Sequence, residues 1–441
     1  MSTTEPQRTG APAPPDLAVR LADVVADGVA ADAAARRALA IGGVVPGLVC
    51  TPADHEQLAR AVAATAAAGA ALVPLGLGAH RTLGHAPARY DVALVTRRLD
   101  RIRDYTPADM TITVEAGVPV AALQHLLATE GQWLPLEPPL PARTTVGGLI
   151  AADLVGAPVA AQGRVRDFVI GIGAVTAAGR PVRAGGKVVK NVAGYDLMKL
   201  VTGSLGTLAV VSEATFKVRP RPATLRTLVV DAGGAPAALA LAEQIAIGRV
   251  DPLAATVLLD LDGGVRRARL LVRLAGIAAD VGVAERRLAT LARAAGATVQ
   301  VVQDRDPSAR LLVEEVRDLV RTGFDGDLVV RLAVLPRRAA ACAAALVAGA
   351  GSERARLHVD VGAGRLTLAV TAAAPAGALA ALAGVATAHA GHLVVERWPD
   401  ALAATIEVWC PLPAALPLMR RMKAALDPRG TLAPGRFVGR I

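Results

Sequence analysis

GGKVVKNVAGYDLMKLVTGSLGTLAVVSEATFKVRP, residues 185–220, decides how this chain is read. It opens on paired glycines and a basic loop, 185–190, and predicts a short helix over 197–202 and a strand over 208–218. Pro220 and Pro222 then close the unit, because neither can donate to a continuing sheet ladder. The loop sets a cation, an amide and a phenol close together in Lys190, Asn191 and Tyr195.

Upstream, the order helix, strand, glycine turn appears once, and a second strand also ends in glycine. Thr51 as cap, Pro52 at the first helical position and Asp54 in the first turn predict a helix that ends at Gly69. A short apolar strand, 71–75, then runs into Gly76, Leu77, Gly78, Ala79, His80 and Arg81. A second strand, 110–115, passes through Gly117 into a helix begun by Pro119 and closed by Gly131. Residues 134–148, LPLEPPLPARTTVGG, form a proline-stiffened loop that ends in hydroxyls and paired glycines, a segment suited to lie against a ligand.

A dinucleotide pyrophosphate carries two negative charges and needs backbone N–H donors at close range, which glycine-lined turns allow without Cβ clashes. Gly76, Gly78, Gly117, Gly147 and Gly148 offer that approach. With 43 glycines in the chain, only their joint context carries weight. The first loop is not a nicotinamide fingerprint, since Gly76 and Gly78 are not followed by a third glycine at the required spacing.

Residues 185–220 resemble, almost phrase for phrase, the FAD domain of glycolate oxidase subunits within the vanillyl-alcohol oxidase and p-cresol methylhydroxylase type of flavoprotein. The resemblance continues through PLGLGAHRTLG (74–84), VEAGVP (114–119), LPLEPP (134–139), TTVGGLIAAD (144–153), GRVRDFVIG (163–171) and ALDPRGTLAPGRF (425–437). It implies an FAD cofactor. Gly76, Leu77, Gly78, Ala79 and His80 would hold the pyrophosphate. Pro138, Thr145, Gly147 and Gly148 would line the flavin's path, with Gly206 and Val210 beside the adenine and Gly117 kept as a further cofactor-binding glycine. The family's phosphate loop usually ends in Ser or Thr where this chain has Ala79 and His80, so a hydroxyl contact is lost or replaced by imidazole. His80 stands one position later than the covalent flavin attachment of some relatives, and the expectation is noncovalent FAD.

The implied fold is α+β: a two-subdomain FAD-binding domain of the p-cresol methylhydroxylase type over 41–222, then an α+β cap domain with a mostly antiparallel sheet over 223–410. Residues 1–40 are read as a partly disordered extension and 411–441 as a tail that packs back on the first domain. At 441 residues the chain exceeds the roughly 250–300 at which single cores stop growing. Aromatics are 2% of residues against 53% hydrophobic, so the cores are built from Ala, Val and Leu.

Oxidation of a 2-hydroxy acid needs a cation for the carboxylate and a base for the hydroxyl proton beside the flavin. Lys190, Asn191 and Tyr195 are the candidates near the flavin. Catalytic D-type subunits and related dehydrogenases carry Glu–His motifs for a divalent metal. Here His358, His389 and His392 have no such companion, so no metal is expected and these histidines are read as structural or surface residues. The chain therefore most resembles E-type glycolate oxidase subunits, which implies a D-like flavoprotein partner, an iron–sulfur subunit and a small 2-hydroxy acid substrate. Two other readings stay open: a self-sufficient FAD oxidase or dehydrogenase, and a noncatalytic FAD-binding assembly subunit.

The net charge of +10 is mostly Arg spread singly, with no basic block and no interleaved aromatics, which argues against nucleic acid. Cys50, Cys342 and Cys410 are too dispersed for a cluster, so the complex-subunit reading requires a separate electron acceptor. The N-terminus lacks the apolar run of a signal peptide, and the uncharged run 366–395 is too interrupted for a membrane span. The expectation is a cytoplasmic protein, peripheral to the inner membrane face at most through its partners.

Overall fold

The computed structural model describes residues 14, 16–187, 195–248, 250–262, 264–302, 307–322, 328–349, 354–371 and 375–441. Three sheets organise them. The first runs in the order Val29–Ala30, Leu48–Cys50, Val92–Val95, Leu72–Leu75, and its last three strands are parallel. Parallel strands are buried on both faces and read as continuous apolar runs. VALV and LVC fit that pattern, with Leu72, Val92 and Leu94 in one core and Val73, Ala93 and Val95 in another.

The second sheet is antiparallel in the order Ile102–Thr106, Thr111–Glu115, Val210–Lys217, Val169–Val175, Pro181–Gly185. Its core holds the fully buried Phe168 and Phe216. At the junction of the two small sheets, Glu115 is fully buried, accepts from Arg101 N at 2.9 Å and lies 3.2 Å from His55 Nε2. That carboxylate ties helix His55–Ala67 of one subdomain to strand Thr111–Glu115 of the other.

The preceding helix starts later than the sequence suggests, at His55 rather than at Pro52. Asp54, not Thr51, is the cap: its side chain accepts from Gln57 N at 2.8 Å while Gln57 Oε1 accepts from Ala53 N at 2.9 Å, a reciprocal pairing. Thr51 N is already committed to Gly28 O at 2.7 Å, so residues 51–53 remain extended. The C-terminal end agrees with expectation, the helix stopping at Ala67 before Gly69 at φ +65°.

The third sheet has nine antiparallel strands in the order Thr298–Val302, Thr224–Asp231, Val265–Gly276, Ala254–Leu261, Ala355–Asp360, Arg365–Val370, Leu328–Ala333, His392–Arg397, Trp409–Cys410. Helices Ala235–Ile247, Ala278–Ala294, Ala339–Gly349 and Pro375–Ala388 bury one face in a single aliphatic core. The other face meets helix Pro307–Thr322 and the first domain, through Leu319 against Val329 and Ala369 and through Arg273 Nη1 on Glu137 at 2.7 Å. The uncharged run 366–395 resolves into strand, helix and strand, and no helix among the described residues is long and apolar enough to cross a membrane.

The tail returns to the first sheet. Leu72 N donates to Thr431 O at 2.8 Å and Ala433 N to Leu72 O at 2.7 Å, so Leu432 sits beside the strand that feeds the glycine loop. The tail thereby becomes a wall of that loop.

Candidate functional site

Strand Leu72–Leu75 ends in Gly76, and the residues around it are small because three segments meet there. A Cβ on Gly76 would lie 2.1 Å from Thr145 Oγ1, and one on Gly206, at φ +73°, would lie 2.4 Å from Pro74 Cγ. Gly78 turns the loop at φ +71°. The contacts at Gly76 and Gly206 require glycine for space, and Gly206 and Gly78 require it for backbone conformation. Thr145 caps helix Val146–Ala152, its Oγ1 accepting from Gly148 N at 3.2 Å.

The segments enclose a concave, partly open cleft, the shape small-molecule and cofactor sites take. Gly76, Leu77, Gly78, Ala79 and His80 form one wall. Thr145, Gly147 and Gly148 form a second, and Gly206 and Val210 a third. Val73, Leu75, Ala151, Ala209 and Val211 make the remainder largely apolar.

Three sequence candidates do not line this cleft. Gly117 is buried behind it, donating to Leu99 O at 2.7 Å, and its missing Cβ makes room for Thr96 O; Thr96 itself reaches the cleft. Pro138 is buried in the loop before Thr145, outside the lining. Tyr195 is 90% exposed and also outside it. Lys190 and Asn191 lie outside the described residues.

The cleft is cationic. Arg81, Arg143 and Arg436 line it, and among the described residues no carboxylate does. Arg436 comes from the tail motif and is 4% exposed. Its Nη1 donates to His85 O at 2.7 Å, and its Nη2 to Leu83 O at 2.7 Å and Arg81 O at 3.0 Å. Nε has no protein partner. Burial brings this guanidinium down to about 10, with the Tyr90 phenol opposing the shift. A buried cation held only by carbonyl dipoles favours a nearby anion.

Sequence reasoning quoted APGRF as a motif without assigning Arg436 a role. The available signal was an arginine in a tail expected to fold back on the glycine loop.

His80 points into a hydroxyl chain. Thr144 Oγ1 donates to Pro139 O at 2.5 Å, which uses its only proton, so it accepts from His80 Nε2 at 2.6 Å. The ε nitrogen therefore carries hydrogen and positions the 139–145 loop against the glycine turn.

These features fit a dinucleotide: glycine N–H groups and three guanidiniums for the diphosphate, with aliphatic walls for the less polar parts. The histidines expected to be structural or surface residues divide: His358 is buried in the third sheet, and His392 begins an inner strand. Among the described residues no three His, Cys, Asp or Glu side chains gather as a metal site.

Residues 46–185, about a third of the chain, match the family described as FAD binding domain. The chain is 43% identical over 122 residues, 27% of its own length and 35% of the relative's, to glycolate oxidase subunit GlcE of Escherichia coli (strain K12). It is 31% identical over 185 residues, 42% of its length and 39% of the relative's, to glycolate oxidase subunit GlcD of Bacillus subtilis (strain 168). The matched stretches thus span little more than a third of each of these relatives. In fold the chain is similar to p-cresol methylhydroxylase crystallised with substrate bound, at a TM-score of 0.71 and 15% identity over 96% of both chains.

Proposed function

We propose, from the FAD binding domain matched by residues 46–185, that this chain is an FAD-dependent oxidoreductase acting on a small 2-hydroxy acid and passing the electrons to a partner protein. The observation that carries the reading is the cleft in which Gly76–His80, Thr145, Gly147, Gly148 and the buried Arg436 converge. The names of the two relatives, subunits of glycolate oxidase, support the substrate class and membership of a complex with a D-like subunit, while an iron–sulfur subunit rests on the sequence resemblance alone.

FAD supplies an isoalloxazine ring that accepts a hydride. The chain's residues bind and orient it. Backbone N–H groups of 76–80 and the Arg436 guanidinium would neutralise the diphosphate. Thr145 and His80 fix the loop opposite, and Gly206 lets the third wall approach Pro74.

The reading is tested on the purified, FAD-reconstituted chain by anaerobic titration with glycolate, D- and L-lactate and 2-hydroxyglutarate. Bleaching of the flavin absorbance by one acid is the expected result. A flavin that no acid reduces, with or without a copurifying partner, would sink the catalytic reading; protein that takes up no FAD would remove its premise.

Attachment is expected to be noncovalent, because His80 stands one position later than the histidine that some relatives link to flavin. Trichloroacetic acid precipitation should leave a yellow supernatant over a colourless pellet. Colour retained in the pellet would show a covalent link.

A further inference from the structure

The face of the nine-stranded sheet turned toward the first domain carries polar side chains at alternating positions. Leu357, Val359, Leu366 and Leu368 point into the aliphatic core. The intervening His358, Asp360, Arg365 and Thr367, with Thr256 from the neighbouring strand, line a cavity on the other face. Register brings them together: Thr256 pairs with Asp360, Asp360 with Arg365, and His358 with Thr367. Val155, Gly156 and Ala157 of the first domain close the cavity, and the same short segment supplies Ala151 and Ala152 to the FAD cleft.

This cavity holds charged groups with unspent hydrogen-bonding capacity. Asp360 is 8% exposed; its Oδ1 accepts from Ala363 N at 3.0 Å, and its Oδ2 has no protein partner. Arg365 Nη1 donates to Val155 O at 2.6 Å, and its buried Nε has no protein partner. The two side chains are cross-strand neighbours yet do not close on each other as an ion pair. Leaving both unsatisfied is costly unless a ligand completes them.

Two further cavities continue the first one outward beneath helix Pro307–Thr322. The middle one shares Ala157, Thr256, Val316 and Arg317 with it, and the outer one shares Arg273, Val313 and Arg317 with the middle. Arg221, Arg226 and Arg310 line the outer mouth, and among the described residues no carboxylate pairs with Arg221 or Arg226. Glu314 and Glu137 pair with Arg310 and Arg273 along the way, so the mouth's excess positive charge comes from Arg221 and Arg226, and such an excess draws in anions.

We propose that this crevice admits a small carboxylate anion and that its inner end binds a 2-hydroxy acid, Arg365 Nε taking the carboxylate and Asp360 Oδ2 the hydroxyl. The choice of a hydroxy acid rests on the proposed function; the site itself rests on the two unpartnered atoms and the arginine-lined approach. A guanidinium N–H matches a carboxylate oxygen, and a carboxylate oxygen matches a hydroxyl proton.

Asp360 also sets a pH dependence. Burial raises its carboxyl to about 6 against the opposing pull of the Ala363 N–H and Arg365. The charged groups around it and Arg365 are Arg331 and Glu396 from the sheet, Arg317 from the helix and Arg164 from the first domain. Arg356 and Arg269 flank His358, whose burial pushes it down to about 3, so it stays neutral. Anion affinity should therefore rise as pH falls through about 6 and Asp360 loses its repelling charge.

Calorimetric titration of glycolate and D-lactate, with acetate as the comparator lacking a hydroxyl, tests the proposal on FAD-loaded protein whose flavin has been photoreduced anaerobically. No hydride can then be accepted, so binding is read without turnover. At least one hydroxy acid should bind more tightly than acetate. Arg365→Met should weaken it by about tenfold or more, as expected for a lost charge-assisted hydrogen bond. Asp360→Asn should tighten acetate severalfold and flatten the pH profile. Opposite signs from two neighbouring substitutions separate a binding site from a merely structural pair, which would lower both. Absence of binding by the unsubstituted protein, or unchanged affinity in both variants, would overturn the site. If an acid bleaches oxidised flavin while Arg365→Met binds as before, this site is wrong and the oxidoreductase reading stands. If binding depends on Arg365 but no acid bleaches the flavin, the reverse holds.

Discussion

Replacing Asp427 by Ala is expected to lower the stability of the folded chain by about 3–5 kcal/mol, the usual cost of removing one partner from a buried ion pair. Its carboxylate is wholly buried. Oδ2 accepts from Lys423 Nζ at 2.5 Å and Leu432 N at 2.8 Å, and Oδ1 from Thr431 N at 2.9 Å. The same ammonium donates to Thr207 O at 2.8 Å and Leu432 O at 2.7 Å. One carboxylate thus holds together the last helix, the tail and the loop that carries Gly206. Burial already pushes Lys423 down, opposed by Asp427, so the substitution strands a desolvated cation and two amides. Urea unfolding monitored by far-UV circular dichroism reads the effect. Asp427→Asn, which keeps an acceptor and loses the charge, should fall between the two; an Ala variant as stable as the parent would remove Asp427 from this role.

The second large effect is on cofactor affinity. Arg436→Met should weaken FAD binding about 10- to 100-fold, since a hydrogen bond to a charged group contributes roughly 1.5–3 kcal/mol and each 1.4 kcal/mol is tenfold. Arg436 is the buried member of the three arginines in the cleft, so water screens it least. Arg436→Lys should recover part of the loss by keeping the charge without the planar fork. Quenching of FAD fluorescence on titration with apoprotein measures the affinity. An unchanged dissociation constant in the Met variant would place the diphosphate elsewhere. Because Arg436 also donates to three carbonyls, the apoprotein's melting temperature should be recorded alongside.

Much of the cleft was legible in the order of local signals. Gly76, Gly78, Thr145, Gly147 and Gly148 stand out because tight turns and close approaches restrict residue type locally, Gly206 and Val210 were implied by the resemblance alone, and all of them line the cleft. The helix cap was misplaced because Thr51, Pro52 and Asp54 all fit a helix start by composition; the choice fell to Asp54 through its exchange with Gln57 and the commitment of Thr51 N to Gly28. The importance of His358, Asp360 and Arg365 was not legible. Their alternation with Leu357, Val359, Leu366 and Leu368 marks two-faced strands, but whether the polar face meets solvent or another domain is not a local property.

The sequence by itself determined the glycine turns, the α+β alternation and the resemblance that named FAD, because turn chemistry and hydrophobic periodicity act over a few residues. Only the tertiary structure decided that Arg436 enters the cleft and that Asp360 and Arg365 share a buried cavity with residues 155–157. Those meetings depend on chain returns of some 200 to 350 residues and on sheet register, in which a one-residue slip would send every polar side chain to the opposite face.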